Sequence, residues 1–380
     1  MSLVPVTDGV LAGTNVLVVS HGFQVAYERG FCSALGANGA RVTLAASDNS
    51  DTAGMHPGVR IENIRGSQRP ERARMAKAFN LLRYHFALVE LAWRERHACL
   101  HVIGLMDAPV LTGIFQGVLF RMMCRRYLFT VHNLLPHDRH SASNRRLYRL
   151  IYRLPSCLVV HTASMREQLV AEFDVDRARV VVMAHGCELG PDFVLPTRQR
   201  DPATLKLLFF GTVAHYKGLD LLLDALARLP KHHELRIVGR CRSAALRESL
   251  ERSVALLVAQ GRQVTWRNEY VPEAEMADAF LWADMLVMPY RHIDQSGVVF
   301  QALKFGVPVV ATRVGEFGSM ITHEIGELCE PESADALEQA VLRLASRIDS
   351  MTREFIAASA RQYDWRTTVQ SLSRSYTGGT

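Results

Sequence analysis

Two short segments and a set of histidines carry the residue types from which chemistry could be built. In Phe209–Asp220 (FFGTVAHYKGLD) an apolar run ends in a glycine turn, and Lys217 stands just before an amphipathic stretch. An ammonium there can act as a point charge on a phosphate, or be plain surface decoration near a helix start. In Tyr290–Thr312 (YRHIDQSGVVFQALKFGVPVVAT) a second apolar run passes through a polar loop into a short helix starting near Ser296 or Gly297. A helix N-terminus at the carboxyl end of a strand offers unpaired N–H groups to a diphosphate. Gly297 would let a ligand approach the backbone closely. The same residues also read as an N-cap and a turn with no ligand. His132 closes the strand-like YLFTVH, and His137 and His140 follow in PHDRH. Imidazole spacing alone does not establish zinc, and no metal is expected.

Several other chemistries are missing from the chain. It has no GxxxxGK[ST] loop, no GxSxG elbow and no HExxH, which argues against a P-loop ATPase, an α/β-hydrolase and a zincin. Its seven cysteines are scattered without a CxxC pair. They read as reduced thiols in a cytoplasmic protein.

The elements that must position these residues alternate in type. Short β-branched runs at Asn15–Ser20, Ala40–Ala45, Leu100–Leu105, Tyr127–His132, Cys157–His161 and Arg179–Met183 predict buried strands. His21–Gly39 predicts a turn and helix. Glu71–Arg96 predicts a long helix with Met75, Phe79, Leu82, Phe86 and Val89 three or four residues apart. Phe193–Leu205 has two prolines and no periodicity, and is the best linker. The alternation then restarts, with strands at Leu207–Phe210, Leu235–Val238, Val264–Arg267, Met285–Met288 and Val307–Ala311. Helices are expected at Gly218–Leu229, Ala244–Gln260, Glu273–Trp282 and Ala334–Arg347. Such alternation predicts an α/β fold of two doubly wound parallel sheets in tandem. Ligands of such sheets bind outside the carboxyl ends of the strands.

A length of 380 residues and 48% hydrophobic content fit two globular domains and exclude a disordered chain. No apolar run reaches the ~18 residues of a spanning helix, and no signal peptide is expected. Residues 1–200 carry a net +8 and residues 201–380 a net −2. The basic excess lies in Arg65–Arg96 and Arg121–Arg153, as a solvated face or as a surface for an anionic partner. No nucleic-acid-binding signature accompanies it.

The C-terminal half resembles the nucleotide-sugar-binding half of GT-B glycosyltransferases, specifically the retaining family 4. The landmarks run in order: FFGTVAHYKGLDLLLDAL, LRIVGR, YVPEAEMADAFLWADMLVMPY, SGVVFQALKFGVPVVATRVG and IGELCEP. The N-terminal half is similar through LVVSHGF, ALGANGARVTL, Thr130–Asn133 and VVMAHGCE, and Tyr363–Trp365 resembles the segment that crosses back onto the first domain.

The resemblance implies two Rossmann-like domains, 1–195 and 196–364, facing a central cleft, with 365–380 returning to the first. It implies transfer of a sugar, with retention and without metal or other cofactor, from a nucleoside diphosphate sugar to a glycolipid or polysaccharide precursor. His132 would contact the donor sugar. Gly22, Lys217, Ser296, Gly297 and Val298 would hold the diphosphate. Arg240, Tyr270 and Gln301 would hold the nucleoside, with Glu269 beside them, and His21, Tyr27 and Glu28 would lie toward diphosphate and acceptor. The family's two glutamates, eight positions apart, fall here on Ile293 and Gln301. Asp294 is therefore the candidate for the first glutamate's place. The family's arginine after the first glycine is Thr212 here, with Arg240 and Arg291 as substitutes. The basic first domain and its long amphipathic segment imply peripheral association with an anionic membrane. The competing readings are an inactive sugar-nucleotide-binding scaffold and an epimerase on the same fold.

Overall fold

The computed structural model describes residues 9–21, 25–68, 73–105, 110–135, 141–188, 195–196, 200–201, 203–293 and 296–378. The chain divides into two units, Met1–Glu188 with Tyr363–Thr380, and Leu189–Gln362.

The first unit is a seven-stranded parallel sheet. Its strands are β1 (Asn15–Val19), β2 (Arg41–Ala46), β3 (Val59–Asn63), β4 (Cys99–Val102), β5 (Arg126–Val131), β6 (Cys157–Val160) and β7 (Val180–Val182), in the order β3-β2-β1-β4-β5-β6-β7. The crossovers carry α1 (Val25–Ala37), α2 (Arg74–Arg94), α3 (Gln116–Met123), α4 (Ala142–Arg153) and α5 (Ala163–Phe173). A π-helical turn, Val110–Phe115, leads into α3. Helices on both faces explain why the central strands are apolar on both sides: all four residues of β4 are buried. The edge strand β3 (VRIEN) is largely exposed and charged, which protects a free edge and leaves no apolar run to betray a strand.

The second unit repeats the scheme with six parallel strands. They are β8 (Lys206–Phe210), β9 (Glu234–Val238), β10 (Gln263–Arg267), β11 (Met285–Met288), β12 (Val309–Thr312) and β13 (Gly326–Cys329), in the order β10-β9-β8-β11-β12-β13. Its helices are α6 (Leu219–Arg228), α7 (Ala244–Ala259), α8 (Glu273–Trp282), α9 (Gly297–Lys304), α10 (Phe317–Met320), α11 (Ala334–Ala345) and α12 (Arg353–Ser359). In both sheets the strand order reverses beside the first strand, between β1 and β4 and between β8 and β11. Each reversal leaves a crevice at the carboxyl ends.

The chain leaves and re-enters the first unit at adjacent points. Cys187 N–H donates to Tyr363 O at 2.7 Å, and Trp365 N–H returns to Cys187 O at 3.3 Å. Helices α13 (Trp365–Thr368) and α14 (Ser373–Thr377) then pack into the first unit's core. Trp365 lies between two glycines: a Cβ at Gly30 or Gly186 would come within 2.2 or 2.0 Å of the indole. Only glycine leaves room for it there.

One predicted feature changes in the structure. The stripe Met75, Phe79, Leu82 and Phe86 on α2 is exposed, while Tyr84, Leu88, Leu91 and Ala92 fill the core from the other side. The helix therefore carries apolar side chains on two faces, only one of which is buried. No described helix is long and apolar enough to cross a membrane.

Candidate functional site

In the second unit the crevice between β8 and β11 holds Lys217, Ser296, Gly297 and Val298, four of the five residues expected at the diphosphate. After β8 the chain turns at Gly211 and passes through a 3-10 turn, His215–Lys217, into α6. Gly218 ends that turn with φ 63°, and a Cβ there would stand 2.0 Å from Pro289 O. The turn is thereby pressed against the end of β11. Lys217 is 6% exposed, with its Nζ 4.9 Å from the centroid of the Tyr290 ring. A Cβ at Gly211 would lie 3.2 Å from that Nζ and 3.4 Å from Val298 Cγ2. Lys217, the end of β8 and the second residue of α9 therefore meet at one point. Among the described residues no carboxylate pairs with Lys217. A buried ammonium without a counter-charge is costly, so it calls for an anion.

The N-terminus of α9 supplies the complementary half. Ser141, Thr162, Ser243 and Ser333 each accept a hydrogen bond from the helix that they precede. Ser296 is buried at the N-cap of α9 but makes no such bond. Among the described residues the Gly297 and Val298 amides have no side-chain cap, and the space beside Gly297 is open to 4 Å. Gln301 lies one turn along the same face, half-buried.

Arg291 is corrected by the structure. It was a candidate to share the diphosphate, but its guanidinium is fully committed. It bonds both carboxylate oxygens of Asp220 at 2.9 and 2.6 Å, Glu332 at 2.9 Å and His215 O at 2.7 Å. It clamps the turn that carries Lys217. Glu269 is paired with Arg267, and Arg240 and Tyr270 project as exposed side chains after β9 and β10. Thr212 is exposed beside Gly211. Asp294 lies outside the described residues.

In the first unit the crevice at β1 is lined by buried polar groups. His21 follows β1 with φ 57°, a strained conformation for a residue with a side chain. Its Nδ1 is 2.5 Å from the Tyr84 hydroxyl, and Arg65 lies 4.8 Å from the centroid of that ring. Burial pushes the His21 pKa down to about 3, with Arg65 and His85 adding to the effect. Glu28 is buried against the Ser20 hydroxyl, and burial raises its pKa. The Gln116 amide donates to His85 Nδ1 at 2.6 Å, tying α3 to α2. Among the described residues, His21 Nε2 and Glu28 Oε1 are buried without a hydrogen-bond partner. Gly22, His137 and His140 lie outside the described residues. No group of three metal-binding side chains occurs among the described residues.

His132, the candidate at the donor sugar, has both nitrogens engaged. Nε2 is 2.8 Å from Ile103 O, and Nδ1 is 3.1 Å from His161 Nε2. Tyr27 and His161 pack against it and His185 lies nearby, while Trp365 packs behind them on Tyr27 and His185; Tyr27 is 4.7 Å from His132 and 4.8 Å from Trp365, centroid to centroid. Sequence reading missed this cluster. The available signal was a histidine on four adjacent strands or just after them: His101, His132, His161 and His185.

The comparisons agree with this division of the chain. A family model described as Glycosyl transferases group 1 matches residues 204–347, and one described as Glycosyl transferase 4-like domain matches residues 24–186. The D-inositol 3-phosphate glycosyltransferase of Pseudarthrobacter chlorophenolicus is 31% identical over 237 residues, 58% of this chain and 55% of that protein. The GDP-mannose:glycolipid 4-beta-D-mannosyltransferase of Xanthomonas campestris pv. campestris is 27% identical over 198 residues, 52% of each. The chain spans about half the length of the curated relatives it matches. Among solved structures, Anabaena Alr3699/HepE in complex with UDP has a TM-score of 0.71 at 16% identity, covering 96% of this chain and 100% of that one. The fold they share is GT-B, with two Rossmann-like domains.

Proposed function

Since the chain belongs to the group 1 glycosyltransferases, we propose that it moves a sugar from a nucleoside diphosphate sugar to a glycolipid or polysaccharide-precursor acceptor, with retention and without a metal. The observation that carries this reading is Lys217, buried without a carboxylate among the described residues and packed against the uncapped start of α9. As the glycosidic bond breaks, the departing diphosphate gathers negative charge. An ammonium and the first two amides of α9, already in place, stabilise that charge without reorganising. The diphosphate then stays on the face where the acceptor hydroxyl arrives and takes its proton. No carboxylate nucleophile is needed for retention by this route. The resemblance assigns His132 to the donor sugar and Gln301 to the ribose.

The acceptor reading rests on the first unit. Phe79, Leu82 and Phe86 of α2 are exposed, as are Phe115 and Met122 at the two ends of the neighbouring helical segment. The exposed basic residues Lys77, Arg83, Arg121 and Arg125 lie on the same two helices or beside them. An apolar face with a basic rim fits the surface of an anionic bilayer, with the protein peripheral to it.

The test is a screen of UDP-, GDP-, ADP- and dTDP-sugars with glycolipid acceptors in phosphatidylglycerol or phosphatidylcholine vesicles. Product from one donor class, made faster on the anionic vesicles, is expected. Donor binding without turnover on any acceptor would favour the scaffold reading. Equal rates on both vesicles would sink the membrane part.

A further inference from the structure

Three hydrogen bonds run through His132 and His161, and two neutral imidazoles do not hold enough protons to make them. His132 Nε2 lies 2.8 Å from the carbonyl oxygen of Ile103, and His161 Nδ1 lies 3.0 Å from that of Met183. A carbonyl oxygen only accepts, so both of these nitrogens carry hydrogen. A neutral imidazole has one N–H, which leaves lone pairs on His132 Nδ1 and His161 Nε2. Those two nitrogens face each other at 3.1 Å. Reversing the tautomer of either ring only moves the conflict to its carbonyl.

We infer that His132 and His161 share a third proton, forming a singly charged dyad at the carboxyl ends of β5 and β6 in which His161 is the positioning residue for His132. The groups facing the dyad supply no carboxylate among the described residues. From α1 comes Tyr27, from β4 His101 and from the segment after β7 His185, with the uncharged Trp365 of α13 packed behind Tyr27 and His185. Burial lowers the proton affinity of each ring taken singly, His132 to about 4 and His161 well below the ordinary histidine value. The two carbonyl dipoles and the bond between the rings act in the opposite direction. Such a pair titrates as a unit. When pH rises and the third proton leaves, the 3.1 Å contact must open, and His132 Nδ1 becomes a free acceptor.

The effect on catalysis rests on the transferase reading; the proton count does not. The experiment uses the whole chain labelled with nitrogen-15 histidine, followed by long-range proton–nitrogen spectra between pH 5.5 and 8.5. Three protonated nitrogens among the four, with both rings changing together, are expected. His161→Gln keeps an N–H donor toward His132. It should abolish the shared titration and lower kcat about tenfold, with the donor KM changing less than about twofold, as misplacement of a positioned group does. One N–H per ring across the whole range would overturn the dyad, whether or not the variant folds. So would a His132 signal unchanged in His161→Gln. Failure of the wild-type chain to turn over any donor would remove the transferase reading and leave the dyad to be decided by the spectra.

Discussion

Lys217 and the α9 amides bring positive potential to the crevice of the second sheet, whereas the crevice of the first is built from histidines whose state depends on burial. Around Lys217 the supports are a left-handed glycine and an arginine clamped by two carboxylates, beside a serine that makes no cap bond. Around His132 they are aromatic rings and backbone carbonyls. The difference teaches that one fold can set a fixed positive charge at the strand ends of one unit and arrange neutral or proton-sharing contacts in the other.

The sharpest way to break this contrast is Lys217→Ala. Turnover is expected to fall ~10²–10³-fold in steady-state kinetics, the scale for losing one positioned charge-stabilising group. A loss below tenfold would mean that leaving-group charge does not build up beside the second unit's strand ends.

Acid should divide the two units next. His21 and His101 are held at about 3 and His185 at about 4, all by burial, while in the second unit it is His233 that is pushed down, to about 4. A lowered histidine pKa makes the unfolded state the better proton binder, so stability present above about pH 6.5 is lost as pH falls toward the folded value. At pH 5 each such buried imidazole costs ~2 kcal/mol. Hydrogen exchange corrected to a common chemical rate should therefore show the first unit opening before the second between pH 7 and 5. Simultaneous opening would contradict the assignment of those rings as neutral.

The smallest expected effect sharpens the fixed-charge side. Gln301→Glu restores a carboxylate at the position the family uses for the ribose, and a charge-assisted bond should tighten nucleotide binding up to about tenfold by calorimetry. Weaker binding would place Gln301 away from the ribose.

The sequence announced most of the scaffold because parallel strands buried on both faces read as apolar runs. Met285–Met288 and Glu273–Trp282 fall where periodicity puts them. The exception is β3, whose exposed charged edge carries no such signal. Lys217 and Ser296 were legible because a strand, a glycine turn and a helix start are local features. Arg291 was misread because its partners lie 71 and 41 positions away. The histidine cluster escaped for a related reason: the histidines recur at strand ends, but only the strand order shows that His132, His161 and His185 meet, and Trp365 reaches Tyr27 and His185 from beyond an entire intervening unit.

That last arrival governs how the protein is made. The slot between Gly30 and Gly186 is filled by an indole that the ribosome polymerises only after the whole second unit. The nascent first sheet must wait with that slot vacant and the edges of Tyr27 and Phe31 uncovered, while its neighbour is translated and folds. The second unit is topologically a guest within the first, so the host is sealed last.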